Sequence, residues 1–228
     1  MMTEKRTFTK HGREFTFYIS KAKEKNKPIL FILHGHGFVD TPSQFKSDNW
    51  NVICPMDSYG LDKKGSWFLG EKGDYFWLPA MEQILEIVRT ETGTGRLYFW
   101  GSSMGGYASL LYGNKLHATA VYANVPQTHL LGSQYSNNGM KKYFSAVIPD
   151  ERDDFNRLSC IFKSRTRTKY FLCFNQLEGS NYFSEQGIPF IQHLHSLRQP
   201  LYLEVRPTAA HGKNHGVSET ITLFKKYI

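Results

Sequence analysis

A chain of 228 residues with 40% hydrophobic and 15% aromatic side chains suits a single α/β domain over positions 1–228, with a core rich in rings. Its formal charge of +8 hints at anionic partners. No RRM, zinc-finger or helix-turn-helix signature accompanies that charge, so nucleic acid is not an expected partner. No apolar stretch approaches the length of a membrane span, and the opening residues hold no apolar signal core. Cys54, Cys160 and Cys173 form no pairing motif, which favours a reducing compartment and a cytoplasmic protein.

Arg6 to Lys10 and Glu14 to Ser20 flank His11-Gly12, and alternating Phe15, Phe17 and Ile19 predict an antiparallel hairpin at a sheet edge. Pro28 to Leu33 is a continuous apolar run, the mark of a central parallel strand, and Asn51 to Pro55 reads as the next. Apolar residues at helical spacing predict a helix from about Asp74 to Glu91, stopped by Gly93. Leu97–Trp100, Ala118–Val125, Lys169–Phe174 and Leu201–Val205 read as strands. Tyr107–Tyr112 and Ile188–Leu197 read as helices, and Ser218 is expected to cap a last helix ending at Tyr227. Strands alternating with helices imply an α/β fold, a mostly parallel sheet covered on both faces. Pro126 to Thr168 breaks the rhythm, and a loop-rich insertion of that length is expected to act as a lid.

The chemistry centres on RLYFWGSSMGGYASLLYG, from Arg96 to Gly113. Gly101, Ser103 and Gly105 fit G-x-S-x-G between an aromatic strand and a helix, the context of a nucleophile elbow. A serine on so tight a turn has a strained backbone, and its hydroxyl is lifted clear of the sheet towards helix N–H groups. Ser103 is therefore the candidate nucleophile.

A serine hydroxyl is a weak nucleophile until a base takes its proton. Around such an elbow the partners follow in the order serine, acid, histidine. After the last strand come His211 and His215, each followed by glycine. His215 is preferred as base because it immediately precedes the terminal helix, with His211 the alternative. A metal shared by the two lacks a nearby carboxylate or cysteine to complete it, so no metal and no cofactor is expected. Glu178 follows the Lys169–Phe174 strand and is the candidate acid, ahead of Asp150, Asp153 and Asp154 in the insertion. His34-Gly35-His36-Gly37 directly follows the first apolar strand. The backbone N–H groups of His36 and Met104 are the candidate oxyanion donors.

From HGHG through GSSMGG to the late histidines, the chain resembles the α/β-hydrolase superfamily over nearly its whole length. Asp57–Gly60, Gly65–Gly70, GSSMGGYASL and the Val125–Thr128 turn further resemble a bacterial group associated with surface polysaccharides. That group includes accessory Sec system proteins tied to adhesin glycosylation and export, and capsule-biosynthesis relatives. The resemblance implies the α/β-hydrolase fold and an esterase or O-acyltransferase acting on a glycan or glycoconjugate, with a small-molecule or glycan ester as the expected partner. Trp67 and the aromatics of the insertion would then stack on sugar rings, with core packing an equal alternative for Trp67, and Gln127 would contact substrate. Two other readings stay open: a non-catalytic hydrolase-shaped assembly partner, and a thioesterase or peptidase using the same residues. The acid differs from the commoner Asp, and two histidines compete for one role.

Overall fold

The computed structural model describes residues 2–37, 40–212 and 214–228. Its frame is one eight-stranded sheet in the order β1-β2-β4-β3-β5-β6-β7-β8. β1 (Glu4–Lys10) and β2 (Arg13–Ser20) form the edge hairpin, and β2 pairs antiparallel with β4 (Asn51–Met56). From β4 onwards every pairing is parallel, through β3 (Ile29–Leu33), β5 (Leu97–Ser102), β6 (Ala120–Asn124), β7 (Lys169–Asn175) and β8 (Leu201–Arg206). The central strands are buried on both faces, which explains their unbroken apolar runs.

One face carries α1 (Trp77–Thr92), α2 (Met104–Lys115) and α5 (Ile188–Ser196), with a core built on Phe31, Phe99, Tyr107, Leu111 and Leu172. On the other face α6 (Val217–Tyr227) lays Ile221 and Phe224 on Leu30, Tyr98 and Phe171, and the chain before β4 adds Phe45 and Trp50. Among the described residues no helix is long and apolar enough to cross a membrane.

Two boundaries differ from expectation. α1 starts at Trp77 rather than Asp74 because Asp74 is tied into a tight turn, exchanging backbone hydrogen bonds with Glu71 at 2.9 and 3.2 Å. Ser218 lies inside α6 and is not its cap. The helix opens after Gly216, whose N–H donates to the Glu219 carboxylate at 2.7 Å. The segment between β6 and β7 carries α3 (Lys141–Ser145) and α4 (Leu158–Ile161). Leu130, Phe144, Val147, Ile148, Leu158 and Phe162 anchor it in the main core, so this cover is packed down rather than held at a distance.

Asp57, at the end of β4, is 0% exposed. Its carboxylate accepts from the Ser66 N–H (2.6 Å), the Ser66 hydroxyl (2.9 Å), the Phe68 N–H (2.8 Å) and the Trp77 indole (3.1 Å). A buried charge is tolerable when donors surround it this densely. The clamp holds Trp67 and Phe68 at φ of 57° and 51°, a left-handed backbone such bulky residues otherwise avoid. His34 braces the same corner. Its Nδ1–H donates to the Gly35 carbonyl at 2.8 Å, and its Nε2 accepts the Asp57 N–H at 2.8 Å. That pairing needs the neutral ring, and burial holds the His34 pKa below the usual 6.5.

Replacing Asp57 with Ala strands several buried donors and is expected to cost roughly 3–5 kcal/mol, read from the shift in the urea unfolding midpoint. The unfolded chain takes up a proton that folded His34 refuses. Stability contributed by the neutral ring is thus present above pH 6.5 and lost as the pH falls below it. The midpoint should be lower at about pH 5 than at about pH 7.5.

Candidate active site

Ser103 sits between β5 and α2 with φ 56° and ψ −118°, a strained backbone on a partly exposed turn. The neighbouring glycines are required by contact. A Cβ on Gly101 would lie 2.0 Å from the Gly105 carbonyl oxygen, and one on Gly105 would lie 2.1 Å from that of Leu33. Ser103 N–H donates to the Asn124 carbonyl at 2.9 Å, fixing the turn to β6.

The histidine that reaches this hydroxyl is His211. Its Nε2 lies 2.9 Å from Ser103 Oγ, and its Nδ1 pairs with Glu178 Oε1. An ionised carboxylate only accepts, so Nδ1 carries the proton and Nε2 is left to accept from the serine. The Glu178 side chain is 6% exposed and that of His211 34%, so the acid is shielded while the base faces the opening. Two tyrosines bracket the imidazole: Tyr135 stacks on it at 6.0 Å and Tyr182 meets it edge-on at 5.2 Å. Tyr182 is itself locked by donating to the Val125 carbonyl at 2.7 Å.

His215, the histidine preferred on sequence placement, does not reach Ser103. Its Nε2 lies 2.7 Å from Glu204 and 3.0 Å from Arg206, and its ring meets Tyr122 edge-on at 5.8 Å. The physical reason is a pair of buried asparagines at the ends of adjacent strands. Asn175, closing β7, donates to the Ala210 carbonyl. Asn124, closing β6, donates to Ser102 Oγ (2.9 Å) and the Gly212 carbonyl (2.6 Å), and accepts the Asn214 N–H (3.2 Å). Asn214 completes the ring of contacts by donating to Asn175 at 3.0 Å. His211 lies between the two grips and is aimed at the elbow. His215 lies beyond them and turns back onto β8.

Gln127 and Trp67 also depart from expectation. Trp67 is 0% exposed and offers no face to a sugar. Its indole N–H instead donates to Gln127 Oε1 at 2.5 Å, and Gln127 Nε2 donates to Ser103 Oγ at 3.1 Å. Gln127 is buried too, so this pair holds the Ser103 hydroxyl through a second contact besides His211. Ser103 Oγ accepts one bond and has its proton free to donate to His211.

Met104 begins α2, where the first N–H groups have no partner within the helix. In the HGHG loop the Gly37 N–H donates to the Lys64 carbonyl at 2.9 Å, which ties the loop to the 60–65 turn. The His34 and His36 side chains diverge and do not form a pair. The His36 ring stacks on Trp67 at 5.6 Å and meets Tyr143 at 4.5 Å, and burial lowers its pKa.

Asn124, Asn175, Tyr135 and Tyr182 were not anticipated. A signal for the asparagines existed: each closes an apolar strand run, AVYAN and FLCFN, and a polar side chain there points past the sheet end.

Comparison with solved structures identifies the fold. The S-formylglutathione hydrolase of Agrobacterium tumefaciens superposes with a TM-score of 0.69 at 14% identity, over 92% of this chain and 87% of its own. The capsule O-acetyltransferase of Neisseria meningitidis serogroup A gives 0.67 at 19% identity, over 96% and 92%. This chain has the α/β-hydrolase fold. A lipase/esterase from Lactobacillus plantarum gives 0.66 at 13% identity, over 99% and 97%. No protein-family model and no curated protein sequence matches the chain.

Freeing the histidine loop should disturb the serine without unfolding the sheet. Asn124→Ala is expected to lower the reactivity of Ser103 towards a fluorophosphonate by about tenfold to a hundredfold, as small misplacements of a base do, measured as a second-order labelling rate.

Proposed function

We propose that the protein is a serine hydrolase or acyltransferase working through an acyl-enzyme, with a carboxylic ester as substrate. The observation that carries this is the continuous line Glu178, His211, Ser103, ending on a hydroxyl at a strained elbow. Ser103 Oγ attacks the ester carbonyl while His211 Nε2 takes its proton. Glu178 holds the ring in the required tautomer and stabilises the imidazolium that forms. The N–H groups of Met104 and His36 face the oxyanion, where loss of one such donor typically costs on the order of a hundredfold or more. Collapse of the tetrahedral intermediate breaks the ester C–O bond, and His211 returns its proton to the departing alkoxide. Water or another hydroxyl, deprotonated in turn by His211, then releases the acyl group.

A sugar hydroxyl as acceptor, on a glycan or glycoconjugate, is our finer reading. The polysaccharide-associated sequence pieces support it, as does the likeness to a capsule O-acetyltransferase. The cysteines are unpaired, in keeping with work in the cytoplasm.

A fluorophosphonate is expected to label Ser103. Ser103→Ala should abolish labelling, and His211→Ala should lower ester turnover on the order of ten-thousandfold or more, whereas His215→Ala should leave the triad chemistry in place. A folded protein that takes no label is a binding partner and not an enzyme. Activity confined to thioesters or peptides in a substrate panel would replace the ester assignment.

A further inference from the structure

A chain of packed contacts leads from Ser103 to positive charge at the surface. Gln127 links Ser103 to Trp67, His36 stacks on Trp67, and Tyr143 meets His36. Two ammonium groups converge on Tyr143. Lys64 Nζ donates to the phenol oxygen at 3.2 Å and stands 5.4 Å from the ring centre, and Lys142 Nζ stands 4.9 Å from it. Lys64 is also tied to the oxyanion loop, since its carbonyl accepts the Gly37 N–H.

Some cations meet a carboxylate: Lys5 meets Asp40, Arg13 Asp74, Lys21 Glu91 and Lys23 Asp48. Among the described residues Lys64 and Lys142 form no ion pair, and only the field of Asp62 offsets Lys64. The two ammonium groups instead hold the Tyr143 phenol below its usual pKa, chiefly through the Lys64 hydrogen bond. Two ammonium groups held at one ring present an anion with two donors at a fixed place, and water screens their mutual repulsion. The exposed basic residues Lys163, Arg165 and Arg167 precede β7, at the ends of the strands remote from the elbow, and have no part in this wall.

We infer that the ester taken by this site carries a negative charge, a carboxylate or a phosphate, on the portion remote from the reacting carbonyl, seated between Lys64 and Lys142 beside Tyr143. This rests on the proposed ester chemistry at Ser103 and adds the substrate class. His36, packed between Trp67 and Tyr143, fixes the position of the Tyr143 ring, and the lysines on that ring meet the charged end of the substrate. The reaction itself is unchanged: the same C–O bond breaks, and the anion contributes binding and orientation.

Acetoxyalkanoates, acetoxyalkyl phosphates and neutral acetoxyalkanamides, each made at several chain lengths, present one ester with and without a remote anion. The protein is expected to give a kcat/KM about tenfold higher for an anionic ester than for the matched amide at low salt. That advantage should shrink as ionic strength rises. The carboxylate and phosphate arms identify which anion is preferred. In a Lys64→Glu, Lys142→Glu protein the order of preference should reverse. If that chain does not fold, Lys64→Met with Lys142→Met keeps apolar stems on Tyr143 and should flatten the preference instead. Equal turnover of charged and neutral esters, or a preference that survives these substitutions, overturns the inference while leaving the ester chemistry standing. Absence of both labelling and turnover overturns the ester chemistry and this inference with it.

Discussion

A hydrogen bond of 2.9 Å joins Ser103 to His211, residues 108 positions apart, and nothing local to either one produces it. The serine is held by a turn that only Gly101 and Gly105 permit. The histidine belongs to a loop with little secondary structure of its own, and two side chains at the tips of neighbouring strands set its place. Asn124 holds Ser103 and the histidine's own loop, receiving the Ser103 N–H on its carbonyl and bonding the Gly212 carbonyl and the Asn214 N–H with its side-chain amide. One buried residue thereby references the histidine loop and the serine to the same strand end. Such a geometry is more accurate than loop-to-loop contact, because parallel strands deep in a sheet move little relative to one another.

Approaching from the other side, Asp57 performs a comparable task through a different chain. Its carboxylate collects the donors of the 65–68 loop and so sets Trp67, which sets Gln127, which touches Ser103. A buried anion with several donors is costly to disturb in any single part, because each stranded N–H then lies in low dielectric. The strained backbone at Trp67 and Phe68 is retained by this arrangement. The serine is thus touched by two networks, and Tyr135, stacked on His211 and hydrogen-bonded with Gln127, connects them.

The Tyr143 end of the site adds charge to that geometry. The cover between β6 and β7 contributes Tyr135 beside the base and Tyr143 beside the oxyanion loop. Its apolar residues are sunk in the main core, so these rings have fixed positions. The insertion shapes the entrance chiefly by packing.

Much of this protein was legible in its sequence because the signals are local. Continuous apolar runs mark the central strands, and glycine spacing marks the elbow. The order of serine, acid and histidine selects Glu178, which does stand beside the histidine at Ser103. Local signals could not choose between His211 and His215, since each precedes a glycine in the same loop. That choice depends on which backbone carbonyls Asn124 and Asn175 reach, and those contacts span 35 and 88 positions. Trp67 is the complementary case. As a residue it suited a sugar platform, but Asp57 folds its loop inward, and the indole became a buried donor. Sequence alone determined the strands, the sharp turn and the kinds of group available. Tertiary packing decided which of them meet, because the contacts that aim a side chain come from strands far away in the chain.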